Sequence, residues 1–100
     1  MKAKFEDLIK SNLPVLVDFS AQWCAPCRMM PPILKEIKAH FGDKIRIITI
    51  DVDKNPKIAA KYQIQAVPTL ILFRNGEVLW RQAGVVPARE LIPLLKYYIQ

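Results

Sequence analysis

Two cysteines separated by two residues, directly after an apolar run, constrain this chain more than any other feature. Residues 15–19 contain four apolar side chains behind Pro14 and are typical of a buried strand. Cys24 and Cys27 follow, and they are the two cysteines of the sequence. The residues after Cys27 have the apolar stripe of a long amphipathic helix. The pair is therefore predicted where a strand leads into a helix N-terminus.

Length and composition predict one domain spanning residues 1–100. One hundred residues with 52% hydrophobic content are enough for one core. No segment reaches the roughly 20 uninterrupted apolar residues of a membrane span, and the first residues lack the apolar segment of a signal peptide. We therefore expect no membrane association and a cytoplasmic location, where a lone cysteine pair is more often catalytic or metal-binding than structural.

The net charge of +6 raises the question of nucleic-acid binding. The lysines and arginines are scattered from Lys2 to Lys96, without a run of five or six basic residues. This distribution favours a solvated basic surface and no nucleic-acid partner. At most, the charge steers acidic partners towards the protein.

The hydrophobic pattern predicts helix, strand, helix, strand, helix, strand, strand and helix. Strand–helix–strand crossovers predict parallel pairing, and an Asn75-Gly76 hairpin adds one antiparallel edge strand. The predicted fold is a three-layer α/β domain with a central mixed sheet of about four strands flanked by helices. The predicted strands are 15–19, 45–52, 69–73 and 77–82, and the predicted helices are 3–11, 28–41 (ended by Gly42), 55–61 and a last one between 87 and 98.

Apolar residues and prolines refine these elements. Residues 45–52 are almost wholly apolar, which predicts a strand covered on both faces. Pro31 and Pro32 are expected to kink the second helix, and Pro93 to delay or bend the last one. Asn55 is expected to cap the third helix.

The cysteine spacing predicts reversible disulfide chemistry. Positions i and i+3 on a helix lie ~5–6 Å apart, within disulfide reach. Unpaired N–H groups at a helix N-terminus lower a thiol pKa. We therefore predict that Cys24, the first and more exposed cysteine, is the nucleophile and that Cys27 is the resolving thiol. Pro26 stiffens the ring between them, and Ala25 adds no charge that would over-stabilise the thiolate.

Asp18 and Trp23 are the neighbours expected to influence the sulfurs. Asp18 lies inside the apolar strand, where burial would raise its pKa and suit it to accept the proton of Cys27. The alternative is an aspartate that reaches solvent at the strand end. Trp23 either walls one side of the sulfurs or packs in the core.

A metal site is not expected. Structural zinc requires four Cys or His ligands, whereas this chain has two cysteines and His40. His40 is more simply explained as a residue that complements the helix dipole, with Glu36 one turn earlier as its candidate partner. Asp51 and Asp53 flank a strand end and are expected to be solvated.

The Trp-Cys-x-Pro-Cys pattern after an apolar strand resembles the thioredoxin family. The resemblance runs from about Phe5 to Leu95, nearly the whole chain. It rests on further segments: Val17-Asp18-Phe19, Pro32, Val67-Pro68-Thr69, and residues 73–76 with Gly84.

The resemblance implies a substrate groove beside the sulfurs. A cis-proline at Pro68 would bend the chain there, and the backbone of Val67 would pair with an extended substrate segment. The residues implied in this groove are Trp23, Ala25, Pro26, Val67, Pro68 and Gly84.

The sequence departs from the family pattern at several positions. Ala25 replaces the usual glycine between the cysteines, Ser20 an aromatic residue, and Thr49 a lysine that often neighbours the buried acid. Because few residues precede Phe5, the family's first strand is expected to be absent, which leaves four strands.

The resemblance implies a protein-disulfide reductase. Cys24 would attack a target disulfide, and Cys27, deprotonated by Asp18, would release the reduced substrate. Its expected partners are disulfide-containing proteins and a thioredoxin reductase that draws on a nicotinamide cofactor. This chain itself is expected to bind no cofactor and to be a monomer. The alternatives are a thiol oxidase or isomerase on the same fold, or a non-catalytic peptide-binding module.

Overall fold

A computed structural model describes residues 4–99 as a four-stranded mixed sheet between two layers of helices. This arrangement confirms the predicted α/β architecture and the expectation of four strands. Ala3, the first residue of the predicted helix 3–11, lies outside the described residues. The strands are β1 (Val15–Ser20), β2 (Arg46–Asp51), β3 (Thr69–Arg74) and β4 (Glu77–Ala83), and the helices are α1 (Phe5–Ile9), α2 (Met30–Phe41), α3 (Pro56–Lys61) and α4 (Ala88–Ile99), with 3-10 segments at Pro26–Met29 and Gly42–Lys44.

The sheet order is β2-β1-β3-β4, with β1 parallel to β2 and antiparallel to β3. The predicted parallel crossover into β3 is therefore wrong. The chain leaves β2 at Asp51, beside Ser20, and enters β3 at Thr69, beside Phe19. Because both points lie at the carboxyl end of β1, the connection through α3 never returns along the sheet. The antiparallel hairpin of β3 and β4 is confirmed.

Both faces of β1 are buried, and each face belongs to a different core cluster. Val15, Val17 and Phe19 pack in the cluster that includes Phe5 of α1 and is bordered by α3. Leu16 points the opposite way, into the cluster of α2 and α4 side chains. The central strand is thus covered on both sides, as its apolar sequence predicts.

The prediction that residues 45–52 are covered on both faces is confirmed in part: Ile47 packs against one core cluster and Ile48 and Ile50 against the other, but none of the three is fully buried. β2 is an edge strand, and Arg46 and Thr49 are exposed while the isoleucines between them are half-buried. An edge strand has one strand neighbour, and β2 is accordingly less buried than the central strands β1 and β3. A continuous apolar run therefore does not guarantee a central position in the sheet.

The prolines act differently from the prediction. Pro31 and Pro32 lie in the first turn of α2, behind the 3-10 turn Pro26–Met29, so they begin the α-helix rather than kink it. Backbone N–H groups have no helical partner in a first turn, which makes proline acceptable there. Of the two effects expected of Pro93, the late start of the last helix is wrong, because α4 begins at Ala88 with Pro93 inside it, and the bend stays a prediction.

Turn residues behave as predicted at two positions. Gly42 ends α2 with φ 56°, and its N–H bonds to the carbonyl of Lys38. Asn75 and Gly76 both have positive φ in the β3–β4 turn, as a two-residue hairpin requires. Asn55 precedes α3, but its side chain bonds to the Asp51 carbonyl instead of capping the helix.

Among residues 4–99, the helices are too short or too polar to cross a membrane.

The aromatic cluster on the α3 face should dominate stability. Phe73 is fully buried and meets the rings of Phe5 and Tyr62 edge-on at 5.9 and 5.2 Å. We expect Phe73→Ala to lower the free energy of unfolding by about 3–5 kcal/mol, since it removes contacts and leaves a cavity. Tyr97→Ala, at a 77% exposed position, is the control and should change it by less than about 1 kcal/mol. Equal denaturant midpoints for the two variants would contradict this assignment of the core.

Candidate active site

The two cysteines lie in the connection from β1 to α2, as predicted. Cys24 precedes the 3-10 turn Pro26–Met29, and Cys27 lies within it. The Cys24 N–H donates to the Ala21 carbonyl at 3.2 Å, which folds the loop back at the end of β1. A disulfide joins Cys24 to Cys27, whose Cα atoms are 5.3 Å apart. The pair can therefore open and close without a large backbone movement.

The backbone directs a hydrogen-bond donor at one sulfur. The N–H of Cys27 donates to the Sγ of Cys24 at 3.2 Å. This N–H belongs to the first helical turn, where backbone donors have no helical partner and the helix dipole favours negative charge. After reduction, the same donor would stabilise a thiolate on Cys24. This asymmetry between the sulfurs supports the prediction that Cys24 is the nucleophile.

The prediction that Cys24 is the more exposed cysteine is wrong. Cys24 is 3% exposed and Cys27 4%, so both are buried. The reason is the loop before β3, where the Val67 carbonyl oxygen lies 3.5 Å from the Cys24 sulfur. Ala21 and the partly buried Val52 and Val67 pack around the two cysteines. Access to the sulfurs therefore depends on the segment that carries Val67.

Asp18 is buried in the middle of β1. Its exposed fraction is 2%, and its Oδ1 has no hydrogen-bond partner among residues 4–99. It lies on the same face as Leu16, the face covered by α2. Its neighbours across the strands, Thr49 and Leu70, provide no cation. Desolvation by burial raises the pKa of Asp18 from 3.8 to about 6. The alternative of an aspartate that reaches solvent is thus not what the structure shows.

Trp23 lies at the surface with its ring held in place. The side chain is 71% exposed, so the alternative of core packing is wrong. Its indole N–H donates to Asp53 Oδ2 at 2.8 Å. The Oδ1 of Asp51 in turn accepts the N–H groups of Asp53 and Lys54 at 2.9 and 3.1 Å. The ring is thereby tied to the turn that follows β2.

Sequence reasoning missed the roles of Asp51 and Asp53, which it treated as solvated strand-end acids. An available signal was the Asp-x-Asp-x-Asn pattern directly after a strand, because Asx side chains commonly bond to backbone N–H groups two residues on. The Trp23 contact joins positions 30 residues apart, so local sequence could not have revealed it.

Two of the predicted groove residues, Trp23 and Val67, line a common cavity. Its volume is about 350 Å³, and it is also lined by Val52, Ile64, Gln65 and Ala66. The Val67–Pro68 peptide bond is cis, as the resemblance implies, and the Pro68 carbonyl accepts the Gly84 N–H at 2.8 Å. Ala25 and Pro26 are exposed between the cysteines. That substrates bind here stays a prediction.

The remaining candidate, His40, lies near the C-terminus of α2. Its ring contacts Phe41 edge-on at 4.7 Å, and no ion pair with Glu36 exists among residues 4–99. Within that part of the chain, no three Cys, His, Asp or Glu side chains are grouped closely enough to hold a metal ion.

Comparisons with known proteins agree with this geometry. The sequence model of the family described as thioredoxin matches residues 1–97. A thioredoxin-like protein of Synechocystis sp. is 48% identical over 94% of this chain and 90% of its own length. A thioredoxin of Rickettsia bellii is 45% identical over 87% of this chain and 83% of its own length. A solved structure of a malarial protein superposes with a TM-score of 0.82 at 30% identity, covering 89% of this chain and 100% of that one.

The buried carboxyl makes stability depend on pH. Below pH 3.8, Asp18 is protonated in both the folded and the unfolded chain; as pH rises towards 6, the unfolded chain loses this proton first, which weakens folding. Two pKa units correspond to about 3 kcal/mol. We expect Asp18→Asn to raise the free energy of unfolding by up to about that amount at pH 7, and by little at pH 4.

Denaturant midpoints between pH 4 and pH 8 measure this dependence. The control is Asp43→Asn, at an exposed position, which should follow the wild type at every pH. If Asp18→Asn were no more stable than the wild type at pH 7, the stability cost assigned to burying this carboxylate would be refuted.

Proposed function

Since the chain belongs to the thioredoxin family, we propose that it reduces disulfides in other proteins and is itself re-reduced by a thioredoxin reductase. The family membership and the Cys24–Cys27 disulfide establish dithiol–disulfide redox chemistry as its activity. The observation that carries the residue roles is the N–H of Cys27, 3.2 Å from the Sγ of Cys24. It supports an attacking thiolate on Cys24.

In the first step, the reduced protein attacks its substrate. The Cys24 thiolate forms a bond to one sulfur of the target disulfide, and the other target sulfur leaves as a thiolate. The product is a mixed disulfide between Cys24 and the substrate. Because Cys24 is almost fully buried and its sulfur lies against the Val67 carbonyl, the target sulfur approaches beside Val67 in this proposal.

In the second step, the mixed disulfide is resolved. The thiol of Cys27 loses its proton to Asp18, and the resulting thiolate attacks the Cys24 sulfur. The Cys24–Cys27 disulfide forms, and the reduced substrate leaves. The two electrons of the original dithiol have thereby passed to the substrate. A pKa of about 6 suits Asp18 to this exchange, because such a carboxylate is ionised near neutral pH yet still basic enough to accept a proton.

In this proposal the backbone of Val67 recognises the substrate. Val67 precedes the cis peptide bond and is half-buried, with its carbonyl against the Cys24 sulfur. An extended substrate segment beside Val67 would present its disulfide to Cys24. The exposed ring of Trp23, held by Asp53, offers an apolar surface on the other side.

We also propose that the protein acts as a monomer in the cytoplasm, where a reductase can return the pair to the dithiol. Cell fractionation with thiol trapping of Cys24 and Cys27 tests the location. An exported protein with the pair oxidised would contradict it, and a dimer mass in sedimentation would contradict the monomer.

Two alternatives have distinct signatures. An oxidase or isomerase needs a destabilised disulfide, whereas Ala25 and Pro26 add no charge that would stabilise the dithiol form. A binding module without turnover would keep its function when both cysteines are serine. Loss of that function in the double variant would therefore exclude the second alternative.

Single cysteine variants test the residue roles. We expect Cys24→Ser to abolish reduction of insulin disulfides, because the remaining thiol, Cys27, acts in the resolving step and not in the attack on the substrate. Cys27→Ser should still attack and should accumulate a mixed disulfide through Cys24, since it cannot resolve it. Mass spectrometry of the adducts identifies the attached residue. An adduct through Cys27 in the Cys24→Ser protein would reverse the roles.

The proton-acceptor role of Asp18 has a kinetic test. Asp18→Asn should slow the resolving step, because Cys27 loses its base, while formation of the mixed disulfide is largely unchanged. The expected loss is roughly 10²-fold or more in the resolving rate, as for removal of a general base. Single-turnover rates separate the two steps, and Asp43→Asn is again the control. Normal resolution in Asp18→Asn would remove Asp18 from the mechanism.

A further inference from the structure

We propose that Arg81 is a positioning residue that holds the groove wall, defined as residues 64–67, against the Cys24 sulfur. The inference builds on the proposed function, since the wall matters only if protein substrates dock beside it. Arg81 lies on β4, away from the disulfide in sequence and outside the predicted site. Its importance follows from the two backbone carbonyls that its guanidinium contacts.

Arg81 reaches over the sheet to the end of α3. It pairs with Ile71 of β3, whose side chain packs in the cluster bordered by α3. Its Nη1 donates to the Tyr62 carbonyl at 2.7 Å, and its Nη2 donates to the Gln63 carbonyl at 3.4 Å. One fixed fork of donors therefore binds two successive residues of the turn after the helix.

The turn that Arg81 contacts is unfavourable for its sequence. Gln63 has φ 54°, in the left-handed region that glycine usually occupies at this position after a helix. Its N–H bonds to the Ala60 carbonyl at 3.1 Å, and the N–H of Ile64 bonds to the Ala59 carbonyl at 2.9 Å. This is the Schellman arrangement, with glutamine in place of glycine. A cation near the last carbonyls of the helix favours the turn in two ways, by hydrogen bonding and by opposing the helix dipole.

The groove wall begins directly after this turn. Its four residues line the cavity together with Trp23, and its last member places a carbonyl 3.5 Å from the Cys24 sulfur. At the far end, the Thr69 hydroxyl donates to the Ala66 carbonyl. The wall is thus held by a side chain at each end, by Arg81 before it and by Thr69 near its end.

Because the hydrogen bonds of Arg81 are exposed, loss of Arg81 should affect the local order of the groove wall more than the stability of the whole fold. Its hydrogen bonds lie at the surface, where water competes for both partners, so the global fold depends little on them. The local order of the wall depends on them more, because the turn itself is strained at Gln63. Loss of Arg81 should therefore weaken docking of protein substrates and leave the sulfur chemistry unchanged.

The experiment compares a protein disulfide with a small one. Arg81→Met keeps much of the side-chain length and removes the donors. We expect the KM for insulin to rise roughly fivefold and kcat to stay unchanged. Because a tenfold change corresponds to about 1.4 kcal/mol, the expected loss of docking energy is smaller than that. Reduction of hydroxyethyl disulfide, which is too small to span the wall, should proceed at the wild-type rate.

Three further measurements separate positioning from general damage. Arg46→Met, at an exposed position on the opposite sheet edge, should leave the KM for insulin unchanged. Amide hydrogen exchange should accelerate within residues 62–67 of Arg81→Met and remain unchanged in β1. Gln63→Gly added to Arg81→Met should recover part of the KM, because glycine adopts the turn without strain.

The outcomes are decisive in both directions. An unchanged KM for insulin in Arg81→Met, or equal losses with insulin and hydroxyethyl disulfide, would overturn the positioning role. An increase in KM without faster exchange in residues 62–67 would overturn the proposed route through the wall. If the wild-type protein itself failed to reduce insulin, the proposed function would fall, whereas the exchange measurement would still report whether Arg81 holds the turn.

Discussion

The double burial of β1 is the constraint on which the rest of the structure depends. This strand pairs with β2 and β3, and helices cover both of its faces. A strand buried in this way has a fixed register and direction. Its carboxyl end therefore determines where the chain turns into the Cys24–Cys27 segment. The connection from β2 to β3 returns to the same end and brings Val67 and Pro68 beside the sulfurs.

The same burial places a carboxyl group where its charge is poorly solvated. A carboxyl group inside β1 lowers stability above its normal pKa, because the folded chain must either keep the proton or bury a charge. Thr49, its neighbour on β2, offers no cation to offset that charge. In the proposed mechanism this destabilising group is also the base for the resolving thiol. That proposal links stability and turnover through Asp18.

The surface around the disulfide is organised by a second, more local principle. Trp23 is exposed but anchored by Asp53, and the groove wall is anchored at its ends by Arg81 and Thr69. Each anchor is a hydrogen bond from or to a side chain outside the Cys-x-x-Cys segment. Recognition of substrate would then depend on residues that never contact the reacting sulfurs.

The sequence by itself determined the local features. Periodicity located the elements, the Asn75-Gly76 pair predicted the hairpin, and the Cys-x-x-Cys spacing after an apolar strand predicted the redox pair. These succeed because a helix period, a turn and an i, i+3 contact are set by neighbouring residues. Asp18 was identifiable for the same reason, as a charge within a local apolar run.

Only the tertiary structure decided features that join distant residues. Whether residues 45–52 form a central or an edge strand depends on sheet order, and the direction of β3 depends on where the chain leaves β2. The exposure of Cys24 depends on Val67, 43 positions later, and the Trp23–Asp53 and Arg81–Tyr62 contacts likewise join separate elements. Local propensity carries no information about such contacts, because packing of whole elements brings their partners together.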